Sequence, residues 1–265
     1  MKKAVFFDID GTLLEYLNGI TDITPKVKQA IHDLQKKGHY VFIATGRPFS
    51  FLSKPILDIG FDGFILANGA HIIINNETVY SEFLDKNFLN NLIKELDGFK
   101  IQYVLEGEHF SYMKDEFKEF HDFFDHVGVS KKLFKSDYSI NNLEICKVEM
   151  LCSNDEIAKE CLKIVQQNKD YDYVNSIALK SFELYSKKNT KATGILKVLD
   201  YLNIDLKDSY AFGDGKNDIE MLETVGCGIA MGNADESVKK HAKEITSSIY
   251  DDGVAIGINK FILND

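Results

Sequence analysis

The chain has 265 residues, of which 45% are hydrophobic and 27% charged, a composition that supports a sizeable core and excludes general disorder. Lysine and arginine total 31 against 41 aspartates and glutamates, which gives a net charge of −10. An acidic chain is a poor match for nucleic acid or for an anionic membrane surface, so we expect neither partner.

Three short apolar segments near the N-terminus alternate with helical patterns. They predict strands over Lys3 to Phe7, Tyr40 to Ala44 and Phe61 to Ala67. Thr24-Pro25 predicts a helix start, because threonine caps well and proline at the first position lacks only a donor that would be unpaired. The strand–helix–strand alternation predicts a parallel sheet with right-handed crossovers.

The strand–helix alternation stops near residue 70, where Asn75-Asn76 between two apolar runs predicts a hairpin. From Asp85 to about Ser186, helices and paired strands follow one another as in an α+β layer, with a capping box predicted at Ser153 and Glu156. After Thr190 the strand–helix alternation returns. We therefore predict an α/β protein: a doubly wound, Rossmann-like parallel-sheet core over 1–82 and 187–265, with an α+β domain inserted at 83–186.

Polar clusters follow several of the predicted core strands. Asp8 and Asp10 lie two residues apart on an extended segment, so both carboxylates face one side. Thr45-Gly46-Arg47, Asn68-Gly69 and the segment from Gly213 to Asp218 fall at similar strand ends. Because ligand sites of open parallel sheets lie beyond the carboxyl ends of the strands, we expect these clusters to converge on one site.

Several carboxylates at one site favour a bound cation, and oxygen ligands of this kind suit Mg²⁺. A calcium-binding EF-hand is a poor alternative, because Gly11 follows Asp8 too early and Lys216 stands where an acid or amide belongs. A phosphate-binding P-loop is also excluded, since Gly215-Lys216 lacks the upstream glycines and the following serine or threonine.

These residues together resemble a known family. The DxDGT at Asp8 to Thr12, the Thr45-Gly46-Arg47 triplet, Lys191 and the GDGxND at Gly213 to Asp218 look like the four motifs of the haloacid dehalogenase-like hydrolases. The segments 67–70, 230–234 and 252–255 are similar to those of Cof-type phosphatases, which carry a type IIB cap. Asp10 favours a phosphatase over a dehalogenase within this family.

The resemblance implies roles for individual residues. Asp8 is the expected nucleophile and Asp10 the expected general acid and base. The Asp8 carboxylate, the Asp10 backbone carbonyl and Asp214 are expected to hold Mg²⁺, while Asp218 orients water or Lys191. The expected ligands of the phosphoryl oxygens are Thr45, Gly46, Lys191 and Asn217.

Two further candidates remain open. Arg47 contacts substrate or the inserted cap, or merely forms an ion pair, and Asn68 touches a ligand or only forms a turn. In the inserted domain, Lys147 and Glu149 are expected on the surface of a sheet, with contact to substrate as the less favoured alternative.

The implied activity is hydrolysis of a small phosphorylated metabolite, such as a sugar phosphate or a cofactor-like phosphate, through an aspartyl-phosphate. A phosphomutase or phosphotransferase with the same intermediate is one alternative, and a catalytically idle metabolite-phosphate sensor is another. Four cysteines without metal-site spacing indicate idle thiols. We expect a cytoplasmic location, since the acids at Asp8 and Asp10 interrupt any signal-peptide-like start. We also expect a monomer or a weak homodimer.

Overall fold

The computed structural model describes residues 2–126, 129–176 and 179–264. The chain forms two compact units. The first unit comprises Met1–Gly46, Ser53–Val79 and Thr190–Asp265, and the second comprises Arg47–Leu52 and Tyr80–Asn189. No helix among the described residues is both long and apolar enough to span a bilayer.

The regular elements are numbered along the whole chain. The strands are β1 (Ala4–Phe7), β2 (Tyr40–Ala44), β3 (Gly63–Leu66), β4 (His71–Ile74), β5 (Glu77–Ser81), β6 (Gln102–Gly107), β7 (Ser111–Tyr112), β8 (Phe134–Lys135), β9 (Ile145–Leu151), β10 (Tyr171–Ser176), β11 (Ser181–Ser186), β12 (Ser209–Gly213), β13 (Cys227–Ala230) and β14 (Glu244–Ile245). The α-helices are α1 (Pro25–Lys36), α2 (Lys54–Leu57), α3 (Lys86–Gly98), α4 (Lys118–His126), α5 (Asp155–Val165), α6 (Lys191–Leu202), α7 (Ile219–Thr224), α8 (Glu236–Lys239) and α9 (Gly253–Ile258).

The larger sheet has the strand order β14-β13-β12-β1-β2-β3-β4-β5. Its first six strands in this order pair in parallel, and β4 then runs antiparallel to β3. Strands β2 to β5 lie on one side of β1, and the later strands β12 to β14 lie on its other side. The strand order therefore reverses between β1 and β12. The α/β, doubly wound, Rossmann-like fold class is confirmed, and this reversal is where such sheets bind ligands.

Local sequence explains how two helices begin. Thr24 caps α1 by accepting a hydrogen bond from the backbone amide of Val27, as its position before Pro25 predicts. At α5 the prediction was wrong by one residue: Asn154, not Ser153, accepts hydrogen bonds from the first-turn amides. Asparagine caps at least as well as serine, so adjacent candidates are not separated by residue type alone.

The smaller sheet has the order β10-β11-β9-β6-β7-β8, and every pair except β7 with β8 is antiparallel. Apolar residues that alternate along β6 and β9, among them Leu105 and Val148, pack with α3, α4 and α5 into one core. All four cysteines of the chain are free thiols, and three of them are buried.

Candidate active site

Asp8 lies at the end of the first strand, where the strand order of the larger sheet reverses. Asp8 follows β1, and its backbone amide donates to the carbonyl of Phe212 on β12 at 3.0 Å. The chain then turns sharply, because the carbonyl of Ile9 accepts hydrogen bonds from the amides of Thr12 and Leu14. The Asp8 side chain is buried, whereas Asp10 on the turn is exposed.

Lys191 bridges two buried carboxylates. It is the first residue of α6, whose start is fixed by reciprocal hydrogen bonds between Thr190 and Thr193. Its Nζ lies 2.6 Å from Oδ1 of Asp8 and 2.6 Å from Oδ1 of Asp218. The Lys191 side chain is 1% exposed, so its ammonium group pairs with these two carboxylates away from solvent.

Asp218 accepts hydrogen bonds at both of its carboxylate oxygens. Its Oδ1 accepts from Lys191, and its Oδ2 accepts from the backbone amides of Asp214 at 3.0 Å and Gly215 at 2.9 Å. A Cβ on Gly213 would lie 2.6 Å from the Asp218 carboxyl carbon, so only glycine permits this approach. Asp218 is therefore placed to hold Lys191 and the Gly213–Gly215 turn in position.

Asp214 lies against the turn that follows Asp8. Its Oδ1 accepts a hydrogen bond from Oγ1 of Thr12 at 3.2 Å. Gly11 has a φ of +82°, and a Cβ there would lie 2.1 Å from Oδ2 of Asp214. Glycine at this position thus serves both the left-handed backbone and the close approach of the carboxylate.

Thr45 and Gly46 are held by a turn with three consecutive left-handed residues. Ala67, Asn68 and Gly69 have φ of 48°, 54° and 94°, and such backbone persists only where the surroundings enforce it. The amide of Asn68 donates to the carbonyl of Thr45 at 3.1 Å. Oδ1 of Asn68 would lie 3.1 Å from a Cβ on Gly46, and it has no hydrogen-bond partner among the described residues.

The same turn contacts the helix that carries Lys191. A Cβ on Gly69 would lie 2.3 Å from the carbonyl oxygen of Thr190, the residue that caps α6. The turn therefore packs against the Thr45 loop on one side and the start of α6 on the other.

Comparisons with known proteins agree over almost the whole chain. A sequence profile of the haloacid dehalogenase-like hydrolases matches residues 5–258. The chain belongs to this family. YkrA of Bacillus subtilis, named as a candidate phosphatase, is 34% identical over 97% of each chain. A second Bacillus subtilis relative, the 5-amino-6-(5-phospho-D-ribitylamino)uracil phosphatase YcsE, is 30% identical over 98% of this chain and 96% of its own.

Solved structures extend the likeness. A protein of Geobacillus kaustophilus HTA426 superposes with a TM-score of 0.87 at 29% identity, covering 99% of this chain and 100% of the other. The sugar phosphatase BT4131, of subclass IIB of the haloacid dehalogenase superfamily, gives 0.82 at 26% identity over 98% and 99%. The resemblance drawn from the motifs is confirmed: the hydrolase is a phosphoric monoester hydrolase that acts on phosphorylated small molecules.

Burial and neighbouring charges shift the pKa values of three groups in the site of this hydrolase. Burial and the nearby charge of Asp218 raise the pKa of Asp8 well above its ordinary value, although Lys191 opposes the rise. Burial and Asp218 also raise the pKa of Asp214 to about 7. Burial alone would lower the pKa of Lys191, but the two carboxylates it contacts raise it, so the ammonium stays charged.

The donor set fits the divalent metal that hydrolases of this family generally use. Carboxylate oxygens of Asp8, Asp214 and Asp218 lie within 4.8 Å of one another, and a cation among them relieves their mutual repulsion. Asp218 already accepts hydrogen bonds at both oxygens, so Asp8 and Asp214 are the carboxylates better placed to ligate.

Two other residues predicted for the site are Arg47 and Asn217. Arg47 belongs to the second unit, where its Nη1 donates to the carbonyl of Phe51 at 3.2 Å. Asn217 is exposed on the turn Lys216–Asp218. Gly11 and Thr12 also contribute to the site through contacts with Asp214 that the sequence does not indicate, because those contacts depend on the folded turn.

The second unit has a buried ionic cluster of its own. Nζ of Lys147 lies 2.9 Å from Glu183, 3.3 Å from Glu106 and 3.9 Å from Glu149. Lys147 is 2% exposed and Glu106 fully buried, so the expected surface position was wrong for Lys147. The cause is Glu106 on the neighbouring strand β6, since the pairing of β6 with β9 places it directly opposite Lys147.

Proposed function

We propose that this hydrolase removes the phosphate group from small phosphorylated metabolites through an aspartyl-phosphate on Asp8, with Mg²⁺ as its metal. The observation that carries the proposal is the pairing of Asp8 with Lys191 at 2.6 Å inside a cluster of three carboxylates. This pairing holds a buried carboxylate oriented and partly neutralised, as an attack on an anionic phosphate ester requires.

Two chemical steps follow from the assigned roles. In the first, an Asp8 carboxylate oxygen attacks phosphorus while the ester oxygen departs, and Asp10 donates the proton that converts the departing alkoxide to an alcohol. In the second, Asp10 takes a proton from water, the resulting oxygen attacks phosphorus, and the bond to Asp8 breaks. Inorganic phosphate and free Asp8 result.

The proposed metal ligands are the carboxylates of Asp8 and Asp214 and the backbone carbonyl of Asp10. When bound, Mg²⁺ supplies positive charge that stabilises the phosphoryl oxygens. Asp218 holds Lys191 so that its ammonium faces Asp8.

The remaining proposed contacts are to the substrate. Thr45, the Gly46 backbone, Lys191 and Asn217 would hold the phosphoryl oxygens. Asn68, whose buried Oδ1 has no hydrogen-bond partner among the described residues, and Arg47 complete the proposed binding residues.

A sugar phosphate or a cofactor-like phosphate is the proposed substrate class. Two relatives support it by their names, since YcsE is a phosphatase of a phosphorylated ribityl compound and BT4131 is a sugar phosphatase.

The proposal includes the division into a core of 1–82 and 187–265 with a cap at 83–186, a cytoplasmic location, and a monomer or weak homodimer.

The decisive experiment measures phosphate release from a panel of sugar phosphates and phosphorylated cofactor precursors. Each compound is assayed with Mg²⁺ and with EDTA, and Asp8→Asn serves as the blank because its amide is a far weaker nucleophile. Mg²⁺-dependent release that vanishes in the variant supports the proposal. Transfer of phosphate between positions or to a second sugar, without release, would instead identify a mutase or phosphotransferase. Binding of phosphate esters without any turnover would indicate a sensor.

A further inference from the structure

Asn233 links the turn after Asp8 to a distant loop of the first unit. Its Nδ2 donates to the carbonyl oxygen of Gly11 at 2.8 Å, and its Oδ1 accepts from the backbone amide of Ile249 at 2.9 Å. We propose that Asn233 is a positioning residue, which fixes the Gly11–Thr12 peptide and thereby orients Asp10 and Asp214. The inference rests on the proposed function, because it assigns Asn233 to the same reaction and metal.

The Gly11–Thr12 peptide is held at both of its polar atoms. Its carbonyl accepts from Asn233, and its amide, that of Thr12, donates to the carbonyl of Ile9 at 3.2 Å. The amide of Gly11 is also engaged, since it donates to the carbonyl of Leu14 at 2.8 Å. Asn233 is the one side chain in this set, so its loss frees the carbonyl end of the peptide.

Both contacts of Asp214 with the turn depend on this peptide. Thr12 contributes the hydroxyl that donates to Oδ1 of Asp214, and Gly11 contributes the α-carbon beside Oδ2. A rotation of the peptide therefore moves both at once. The adjoining residue, Asp10, shifts with the same peptide because it is covalently next to Gly11.

The other side of the link is firmly anchored. The amide of Gly232 donates to the carbonyl of Ser247 at 3.0 Å, and a Cβ on Gly232 would lie 2.6 Å from the backbone nitrogen of Ser248. Asn233 therefore starts from backbone packed tightly against the 247–249 segment. A short amide side chain on a fixed base restrains its hydrogen-bond partner more closely than a long, flexible one would.

The test separates the two hydrogen bonds of Asn233. Asn233→Ala removes both, whereas Asn233→Asp keeps the acceptor for Ile249 and loses the donor to Gly11. Ser248→Ala is the matched control, because it removes a 3.5 Å contact to Oδ1 of Asn233 and the cap on the Tyr250 amide but leaves both the Gly11 and the Ile249 bonds of Asn233 in place. We would measure kcat and KM at saturating Mg²⁺, thermal unfolding, and Mg²⁺ affinity by calorimetry on the metal-free protein.

We expect kcat to fall roughly 10- to 100-fold in both Asn233 variants, with KM changed by less than about two-fold, as for residues that orient metal ligands. Mg²⁺ affinity of Asn233→Ala should fall over the same range, and Ser248→Ala should match the wild type. A wild-type kcat in Asn233→Asp would overturn the inference, even if Asn233→Ala were less stable than the wild type. Asn233 would then have a structural role only.

The wild-type controls separate this inference from the proposed function. Normal Mg²⁺-dependent turnover of the wild type with unchanged Asn233 variants would refute the inference alone. A wild-type protein that neither binds Mg²⁺ nor releases phosphate would refute both.

Discussion

Nζ of Lys191 lies 2.6 Å from Oδ1 of Asp8, although 183 residues separate the two along the chain. The contact forms because β1 ends and α6 begins near the point where the strand order of the larger sheet reverses. A buried ammonium beside two buried carboxylates costs desolvation energy, and only good geometry offsets that cost. The arrangement is therefore better explained by chemistry at Asp8 than by stability alone.

Removal of the ammonium should harm folding as well as activity. We expect Lys191→Met to abolish measurable phosphate release and to destabilise the protein by on the order of 3–5 kcal/mol, because two buried carboxylates lose their cation. The loss of stability should be smaller at acid pH, because burial raises the pKa of Asp8 and its carboxylate then takes up a proton. Denaturant unfolding at pH 5 and pH 8 measures this, with Lys188→Met as control, since Lys188 forms an exposed ion pair with Glu82. Equal destabilisation by both variants would contradict the assignment.

The site and the fold differ in how far the sequence predicts them. Asp8, Lys191, Asp214 and Asp218 were predicted together because they lie at strand ends or carry a recognisable motif. Parallel strands bring such ends to one edge whatever the details of packing. The α/β core was predicted for the same reason, since buried parallel strands are short apolar runs that alternate with amphipathic helices.

Contacts that depend on pairing between distant elements were not predictable. The burial of Lys147 follows from its register opposite Glu106, and nothing local to either residue indicates that register. The bond between Asn233 and Gly11 joins residues 222 apart. The choice of Asn154 over Ser153 as a cap depends on backbone geometry at one peptide, which residue types alone do not fix.

The left-handed turn at residues 67–69 gives a second prediction. We expect Gly69→Ala to lower both stability and kcat, because the added methyl would meet the Thr190 carbonyl at 2.3 Å and displace the start of α6. Gly38→Ala is the matched control: Gly38 has a φ of +80° but nothing within 4 Å of the added methyl. The control therefore bears only the backbone strain, on the order of 1 kcal/mol. The prediction fails if kcat of Gly69→Ala equals that of Gly38→Ala.

Asp214 gives a prediction about metal affinity. Asp214→Asn should weaken Mg²⁺ binding at least about ten-fold, since a charged ligand becomes a neutral one. Without metal, the variant should be as stable as the wild type or more so, because the repulsion with Asp218 disappears. Calorimetry and the rise of Tm with added Mg²⁺ measure both effects. Asp200→Asn, an exposed change of equal charge, is the control, and an unchanged Mg²⁺ titration of Asp214→Asn would rule out its role as a ligand.

The ionic cluster of the second unit predicts a dependence of stability on pH. Burial raises the pKa of Glu149 from 4.5 to about 7, with the charge of Glu183 adding to the rise and Lys147 opposing it. Folding therefore favours the protonated carboxyl. This contribution to stability is fully present below pH 4.5 and is lost as the pH rises to about 7.

Glu149→Gln should remove that part of the pH dependence, because the amide resembles the protonated carboxyl and does not ionise. We expect the variant to match the wild type in denaturant unfolding at pH 4.5 and to exceed its stability at pH 8 by on the order of 1 kcal/mol or more. Glu183→Gln is the matched control: Glu183 contacts Lys147 at 2.9 Å but is 38% exposed, so its loss should not confer stability at pH 8. If Glu149→Gln and the wild type unfold alike at both pH values, folding does not raise the pKa of Glu149, and Lys147 offsets the effect of burial on it.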